Sequence, residues 1–205
     1  MSIRTPLRIA LATVACFLFL ALTSTPSFAQ GSFSGRVVVE WLTGQSPERD
    51  MRLVEPFAYT DPSGKRWAVP EGAVINGASI PQSVWSLAGS PYTGNYRRAS
   101  VVHDYYCGSK SETWQDVHRM FYYAMVAGGV SVLQAKIFYA AVYAGGPRWK
   151  TTVSRNLEGN EEKIIVPQQA LYAPSLMDET NDWIRSTNPS LEAIEKRLEA
   201  GIVMR

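Results

Sequence analysis

The sequence predicts an α+β fold, in which a small N-terminal antiparallel β-hairpin or sheet packs on an antiparallel helical bundle and a C-terminal helical extension follows. Residues 30–75 are rich in β-branched and aromatic residues separated by turn signals. Residues 76–150 place apolar residues at helical spacing between capping residues and glycines. We therefore expect a signal peptide at residues 1–29, an α+β domain at 30–150 (β part 30–75, helical part 76–150) and an acidic extension at 151–205.

The N-terminus has the pattern of a secretory signal peptide. Arg4 and Arg8 precede an uncharged apolar run over residues 9–23, and Ala29 ends a small-residue cleavage site. The run is short for a membrane anchor, which needs about 20 apolar residues. We expect cleavage before Gln30, a periplasmic or secreted protein, and no transmembrane span in the mature form.

Removal of this segment changes the charge and the cysteine count. The chain of 205 residues has 20 basic and 18 acidic residues, and the first 29 hold two arginines, no acid and Cys16. The mature chain would be neutral, which argues against nucleic acid as a partner. It would also keep Cys107 alone, so no internal disulfide is expected.

The β part begins with a strand over residues 35–42. A second strand over residues 52–60 runs into the turn signal Asp61-Pro62-Ser63-Gly64. Residues 66–69 return as a third strand, so we expect a hairpin here.

The helical part is expected to hold a short helix and three longer ones. The short helix spans residues 81–87, opened by a proline, and the next spans residues 97–107, stopped by Gly108. Ser109 and Glu112 match a capping box for the third helix, which runs to about Ala127. The fourth is capped by Ser131 and ends at residues 145–147.

The extension carries a final helix capped by Ser190 and running through Ala200. Its narrow apolar stripe holds Leu191, Ile194, Leu198 and Ile202. From residue 156 onward the net charge is −4, against +4 for residues 30–155. We expect this acidic tail to fold back onto the basic core, and a partner-binding helix is the alternative.

The candidate chemistry centres on His103, Asp104 and Asp116. His103 lies on a largely apolar helical face, and Asp116 lies in the first turns of the next helix, so the two can face each other across the hairpin. A carboxylate that accepts one ring N–H would leave the other nitrogen as a base. The same groups could instead ligate a divalent metal ion, or form a buried structural hydrogen-bond network.

Two neighbouring residues are interpreted as structural. His118 shares a helical face with Trp114, Phe121, Tyr122 and Met125, which is typical of an aromatic core. Cys107 stands at the C-terminal end of its helix, where the helix dipole opposes a thiolate nucleophile.

The segment from Pro70 to Pro81 resembles the opening motif, roughly P-x-G-x-x-x-D-x-A-S-x-P, of a domain of unknown function found in tailed phages and bacteria. The other matching positions, in order, are Ala99, Val101, Val102, His103, Asp104, Asp116, Phe121, Ala124, Met125, Gly129, Val130, Tyr139, Ala141, Val142, Gly145 and Trp149. The resemblance covers about residues 65–150 and implies a domain without a settled activity. Asn76 replaces the family's aspartate, and Cys107 stands where the family often has tyrosine.

The helical hairpin is also similar, more weakly, to that of secreted phospholipases A2. In those enzymes a His-Asp pair on one helix meets an aspartate on its antiparallel neighbour, and the adjacent aspartate holds calcium. By that similarity His103, Asp104 and Asp116 would take these roles. The lack of disulfides and of a glycine-rich calcium loop argues against the assignment.

Two functions follow as hypotheses. In the first, the protein is an envelope hydrolase acting on lipid or peptidoglycan, with His103 as base, Asp116 orienting it, and Asp104 as a metal or structural ligand. Asn76 and Ser79 would line its pocket. In the second, the protein is a non-catalytic periplasmic structural or partner-binding protein, and the His-Asp group is a buried network.

Overall fold

The computed structural model describes residues 30–44, 50–77, 94–156 and 159–204. The predicted helix over residues 81–87 and the candidate Ser79 lie outside these ranges. The strands are β1 (Ser32–Ser34), β2 (Val39–Trp41), β3 (Met51–Leu53), β4 (Phe57–Thr60), β5 (Arg66–Val69), β6 (Val74–Ile75), β7 (Arg148–Arg155), β8 (Glu161–Gln168), β9 (Ala170–Tyr172) and β10 (Ile202–Met204). The helices are α1 (Arg97–Ser109), α2 (Trp114–Ala127), α3 (Val132–Gly145), α4 (Pro174–Thr187) and α5 (Leu191–Gly201).

The N-terminal strands form two small antiparallel sheets, in the orders β1-β4-β5 and β2-β3-β6. The predicted hairpin is confirmed, since β4 and β5 pair from Phe57 with Val69 to Thr60 with Arg66. Asp61 closes its turn by accepting hydrogen bonds from the N–H groups of Ser63 and Lys65. The α+β class is therefore confirmed.

The helices pack in sequence against the sheets and each other. Helix α1 contacts β4, β5 and β6, helix α2 packs between α1 and α3, and α3 contacts α4 and α5. The bulkiest fully buried side chains come from strands β3 and β4 and from helices α2 to α5: Tyr59, Tyr139, Tyr143, Phe57, Phe121, Phe138, Leu53, Met120, Met125, Ile184, Ile194 and Leu198. One core thus joins the sheets, the bundle and the C-terminal helices.

The boundary between α1 and α2 differs from the prediction. Helix α1 continues through Gly108 and ends where Lys110 takes a left-handed conformation with φ of 52°. Helix α2 is capped by Thr113, whose hydroxyl accepts the N–H of Asp116, instead of by a box beginning at Ser109. The predicted caps Ser131 and Ser190 are confirmed.

The C-terminal segment folds onto the core, as expected. Ile194 and Leu198 of α5 are fully buried, and Glu195 accepts hydrogen bonds from Arg119 of α2 and Tyr139 of α3. Burial and the bond to Glu195 raise the pKa of Tyr139 far above its usual range, so its hydroxyl stays protonated and donates.

A two-stranded ribbon that the sequence pattern does not predict precedes these helices. Strands β7 and β8 pair along eight residues each, from Arg148 with Gln168 to Arg155 with Glu161. Most of the ribbon is exposed on both faces. Within the described parts of the chain, no helix has the length and apolar character required to cross a bilayer.

Candidate functional site

Two histidines meet in the interior between α1 and α2. His103 Nε2 lies 2.9 Å from His118 Nδ1, a hydrogen-bond distance, and neither side chain has exposed surface. Phe121 packs over the His103 ring at 4.5 Å between centroids, and Trp114 packs against His118 at 5.6 Å. The aromatic stripe of α2 is therefore core, as interpreted from its spacing, and it encloses the imidazole pair.

A thiol completes the group. Cys107 follows His103 by one helical turn, and its Sγ lies 3.6 Å from His103 Nε2 and 3.9 Å from Nδ1. One donor atom from each of Cys107, His103 and His118 lies within 4.8 Å of the other two. We call these three residues the His-Cys-His cluster, and their sulfur and nitrogen atoms are donors for thiophilic metal ions.

Burial keeps both imidazoles neutral. Loss of solvent lowers the pKa of His103 from 6.5 to about 4, opposed by the charge of Asp104. Burial also lowers the pKa of His118 well below its usual value, helped by the charges of His103 and Arg148 and opposed by the Pro147 carbonyl. At neutral pH one imidazole donates its N–H and the other accepts it.

Acid is expected to destabilise the protein through this pair. The folded pKa of His103 lies below the unfolded value of 6.5, so the unfolded chain binds the extra proton as the pH falls. As the pH falls from 6.5 to about 4, His103 alone should lower the free energy of unfolding by about 3 kcal/mol. Urea denaturation at pH 7, 5.5 and 4.5 measures this, and His103→Gln should flatten the slope. Equal slopes for the two proteins would contradict it.

Gly146 backs the His118 ring. A Cβ at Gly146 would lie 2.4 Å from the Val142 carbonyl oxygen and 3.1 Å from His118 Nε2. We expect Gly146→Ala to destabilise the protein by about 1–3 kcal/mol, because backbone or ring must shift. Urea denaturation measures this loss in the free energy of unfolding. Gly159→Ala is not a suitable control, because the φ of +81° at Gly159 would strain alanine by itself. Gly108→Ala, in open space on α1, should have little effect or stabilise.

Asp104 anchors a loop. Its Oδ2 accepts the N–H of Asn76 at 2.6 Å and of Gly77 at 3.0 Å, and its side chain is almost fully buried. The Asn76 side chain donates to Asp50 at 3.3 Å. Two of the candidate site residues, Asp104 and Asn76, are thus in contact through a carboxylate oxygen and a backbone N–H.

Asp116 does not serve as the partner of His103. It is exposed in the first turn of α2, where its carboxylate accepts the hydroxyl of Thr113 at 2.6 Å. Residues two apart on a helix point to nearly opposite sides, so Asp116 cannot share the inward direction of His118. His118, and not Asp116, is the hydrogen-bond partner of His103.

Asp116 instead borders an open groove of about 470 Å³. The groove lies between the β4–β5 turn and α2, with Asp61, Pro62, Ser63, Lys65, Trp67, Arg119, Met120 and Tyr123 as its other lining residues. Its charged side chains bond within the protein: Lys65 pairs with Glu112 at 2.7 Å and Arg119 with Glu195. The groove offers a shallow surface with internally paired charges.

The spacing of His103 and Cys107 by four residues on one helix predicts that these two side chains are neighbours, and the structure places them in contact. The same spacing argument does not bring His118 to His103. The position of His118 depends on how α1 and α2 rotate against each other, which periodicity does not give.

The chain is similar to proteins without a described activity. Residues 51–142 match the model of a family described as "Protein of unknown function (DUF1353)". The match includes all three residues of the His-Cys-His cluster, together with Asp104 and Asp116. A relation to a family of unknown function is thus supported.

Two relatives come from Sinorhizobium fredii (strain NBRC 101917 / NGR234). "Uncharacterized protein y4jT" is 44% identical over 119 residues, which are 58% of this chain and 35% of that protein. "Uncharacterized protein y4iH" is 42% identical over 97 residues, which are 47% of this chain and 41% of that protein. The chain spans less than half the length of these curated relatives. No solved structure matches it significantly.

Proposed function

We propose that this protein is an exported, non-catalytic protein of the cell envelope that acts by binding a partner. The observation that carries the proposal is the complete burial of His103 and His118. A general base must reach the proton it removes from a substrate. His103 contacts His118, Cys107 and Phe121 in the interior, so a hydrolase would have no accessible base there.

The two aspartates support the same conclusion. Asp104 accepts two backbone N–H groups, and Asp116 caps α2 with Thr113. Both carboxylates therefore have roles in holding the fold. Export is supported by the positive and apolar N-terminal segment, and fractionation of cells should find the protein in the envelope. The motif order from Pro70 to Trp149 supports an origin shared with the tailed-phage domain.

An assay of hydrolysis tests the absence of catalysis. Purified protein is incubated with phospholipid vesicles and, separately, with peptidoglycan, with and without added calcium or zinc. We expect product release equal to that of a no-protein control. The hydrolase would be established instead if the wild type releases product and the His103→Gln variant does not, while that variant still unfolds cooperatively on heating.

The β7–β8 ribbon is the binding surface that we favour. Val153 is 60% exposed, and Ile164, Ile165 and Val166 are 38–45% exposed. Among the described strands, β7 and β8 pair only with each other, so each has a free edge. Such edges accept an extended peptide as an added strand, and an isolated ribbon is marginally stable without one. We therefore assign the partner as an extended segment of another envelope protein.

Photo-cross-linking tests this surface. A cross-linking residue is placed at Val153 in cells, and at Asp178 of α4 as an exposed control. We expect one discrete adduct from position 153, with the attachment site in an extended segment of the partner, and none from position 178. Equal labelling at both positions, or attachment only to helical segments, would contradict the assignment.

A further inference from the structure

The His-Cys-His cluster has the geometry of an ion site. Donors that bind one metal ion at about 2.0–2.3 Å lie about 3.3–3.8 Å from one another. Cys107 Sγ and His103 Nε2 are 3.6 Å apart, and the two imidazole nitrogens are 2.9 Å apart. To bind one ion, the two imidazole nitrogens must move apart by about half an ångström. Two bonds to the metal then replace the hydrogen bond between the imidazoles.

We propose that His103, Cys107 and His118 form a buried, three-coordinate site for a monovalent copper ion. One thiolate and two imidazoles make up the donor set, and thiolate sulfur favours copper(I) and zinc over magnesium or calcium. The choice between copper(I) and zinc rests on coordination number and charge.

Coordination number favours copper(I). Structural zinc takes four ligands, and catalytic zinc adds water to three. Within the described residues, no further histidine, cysteine, aspartate or glutamate donor joins the three. Phe121 and Trp114 flank the imidazoles, and none of the three ligand side chains exceeds 4% exposure, so no open position faces solvent.

Charge favours copper(I) as well. One thiolate neutralises a monovalent ion, whereas a divalent ion would leave a net positive charge buried in an apolar site. The Arg148 guanidinium lies 4.2 Å from the Trp114 ring that packs on His118, which makes further positive charge unfavourable. The carboxylate of Asp104, the residue after His103, has an oxygen bonded to two backbone N–H groups.

Binding balances as one proton released for each copper ion. The Cys107 thiol loses its proton to solvent when the copper–sulfur bond forms. The proton shared by the imidazoles moves to a ring nitrogen that does not bind the metal, either His103 Nδ1 or His118 Nε2. His118 Nε2 is buried and has no hydrogen-bond partner among the described residues, and the Pro147 backbone favours the protonated form of this imidazole.

A competition titration tests the proposal. Copper(I) is added under nitrogen to the purified protein with bicinchoninate as competing chelator, and zinc is titrated in parallel. We expect one copper(I) per chain and weaker zinc binding. Cys107→Ser and His118→Gln should each lower copper affinity at least about 100-fold. Asp116 lies on the same helix as His118 but is exposed, so Asp116→Asn should leave the copper affinity unchanged.

X-ray absorption at the copper edge should show one sulfur and two nitrogens. Thermal unfolding checks that each variant is folded, and the serine variant nearly keeps the size of the thiol. Binding that survives Cys107→Ser, tighter zinc than copper, or no stoichiometric copper would overturn the proposal. The copper site and the partner-binding surface are tested separately. Metal content tests the copper site, and cross-linking tests the binding surface.

Discussion

Asp104→Ala is expected to lower the free energy of unfolding by about 4 kcal/mol. The carboxylate accepts the N–H groups of Asn76 and Gly77 at 2.6 and 3.0 Å in a nearly sealed position. Hydrogen bonds to a charged group contribute about 1.5–3 kcal/mol each, and the variant leaves the buried N–H of Gly77 and the partly buried N–H of Asn76 without that acceptor. Urea denaturation at pH 7 measures the loss.

Two further variants separate the anchor from general effects of substitution. Asp104→Asn keeps one acceptor oxygen and should lose about half as much stability. Asp178→Ala, at an exposed position of α4, should stay within about 0.5 kcal/mol of the wild type. A loss below about 1 kcal/mol for Asp104→Ala would show that the loop does not depend on this carboxylate.

Ile194→Ala is expected to cost about 3 kcal/mol and to lower the melting temperature by about 6–12 °C. Ile194 is fully buried where α5 packs on α3, so truncation leaves a cavity in the shared core. Calorimetry or circular dichroism measures the shift. Ile164→Ala makes the same substitution on the exposed ribbon, where the side chain is 42% exposed, and should cost less than about 1 kcal/mol. Similar losses at both positions would mean that α5 is not part of the core.

Local signals predict much of this fold. The turn at Asp61 to Gly64 and the caps Ser131 and Ser190 work through atoms within four residues, so the sequence displays them directly. The end of α1 is harder to predict, because a glycine such as Gly108 can lie within a helix or follow its last residue. The actual stop is the left-handed Lys110.

The β7–β8 ribbon and the cluster depend on longer-range geometry. A strand that is buried on one face alternates apolar and polar residues, but this ribbon is exposed on both faces and lacks that pattern. The positions of His103 and Asp116 near the α1–α2 loop likewise predict a contact between them that the structure does not contain. The rotation of α2 about its axis presents His118 instead, and that rotation is set by packing of the whole bundle.

The packing of α5 on α3 has a consequence for how the chain folds during synthesis. The inner face of α3 is completed by Ile194 and Leu198, which follow Tyr139 by more than fifty residues. A nascent chain therefore cannot close this core until α5 has left the ribosome. Up to that point Tyr139 lacks its partner Glu195 and the core stays open.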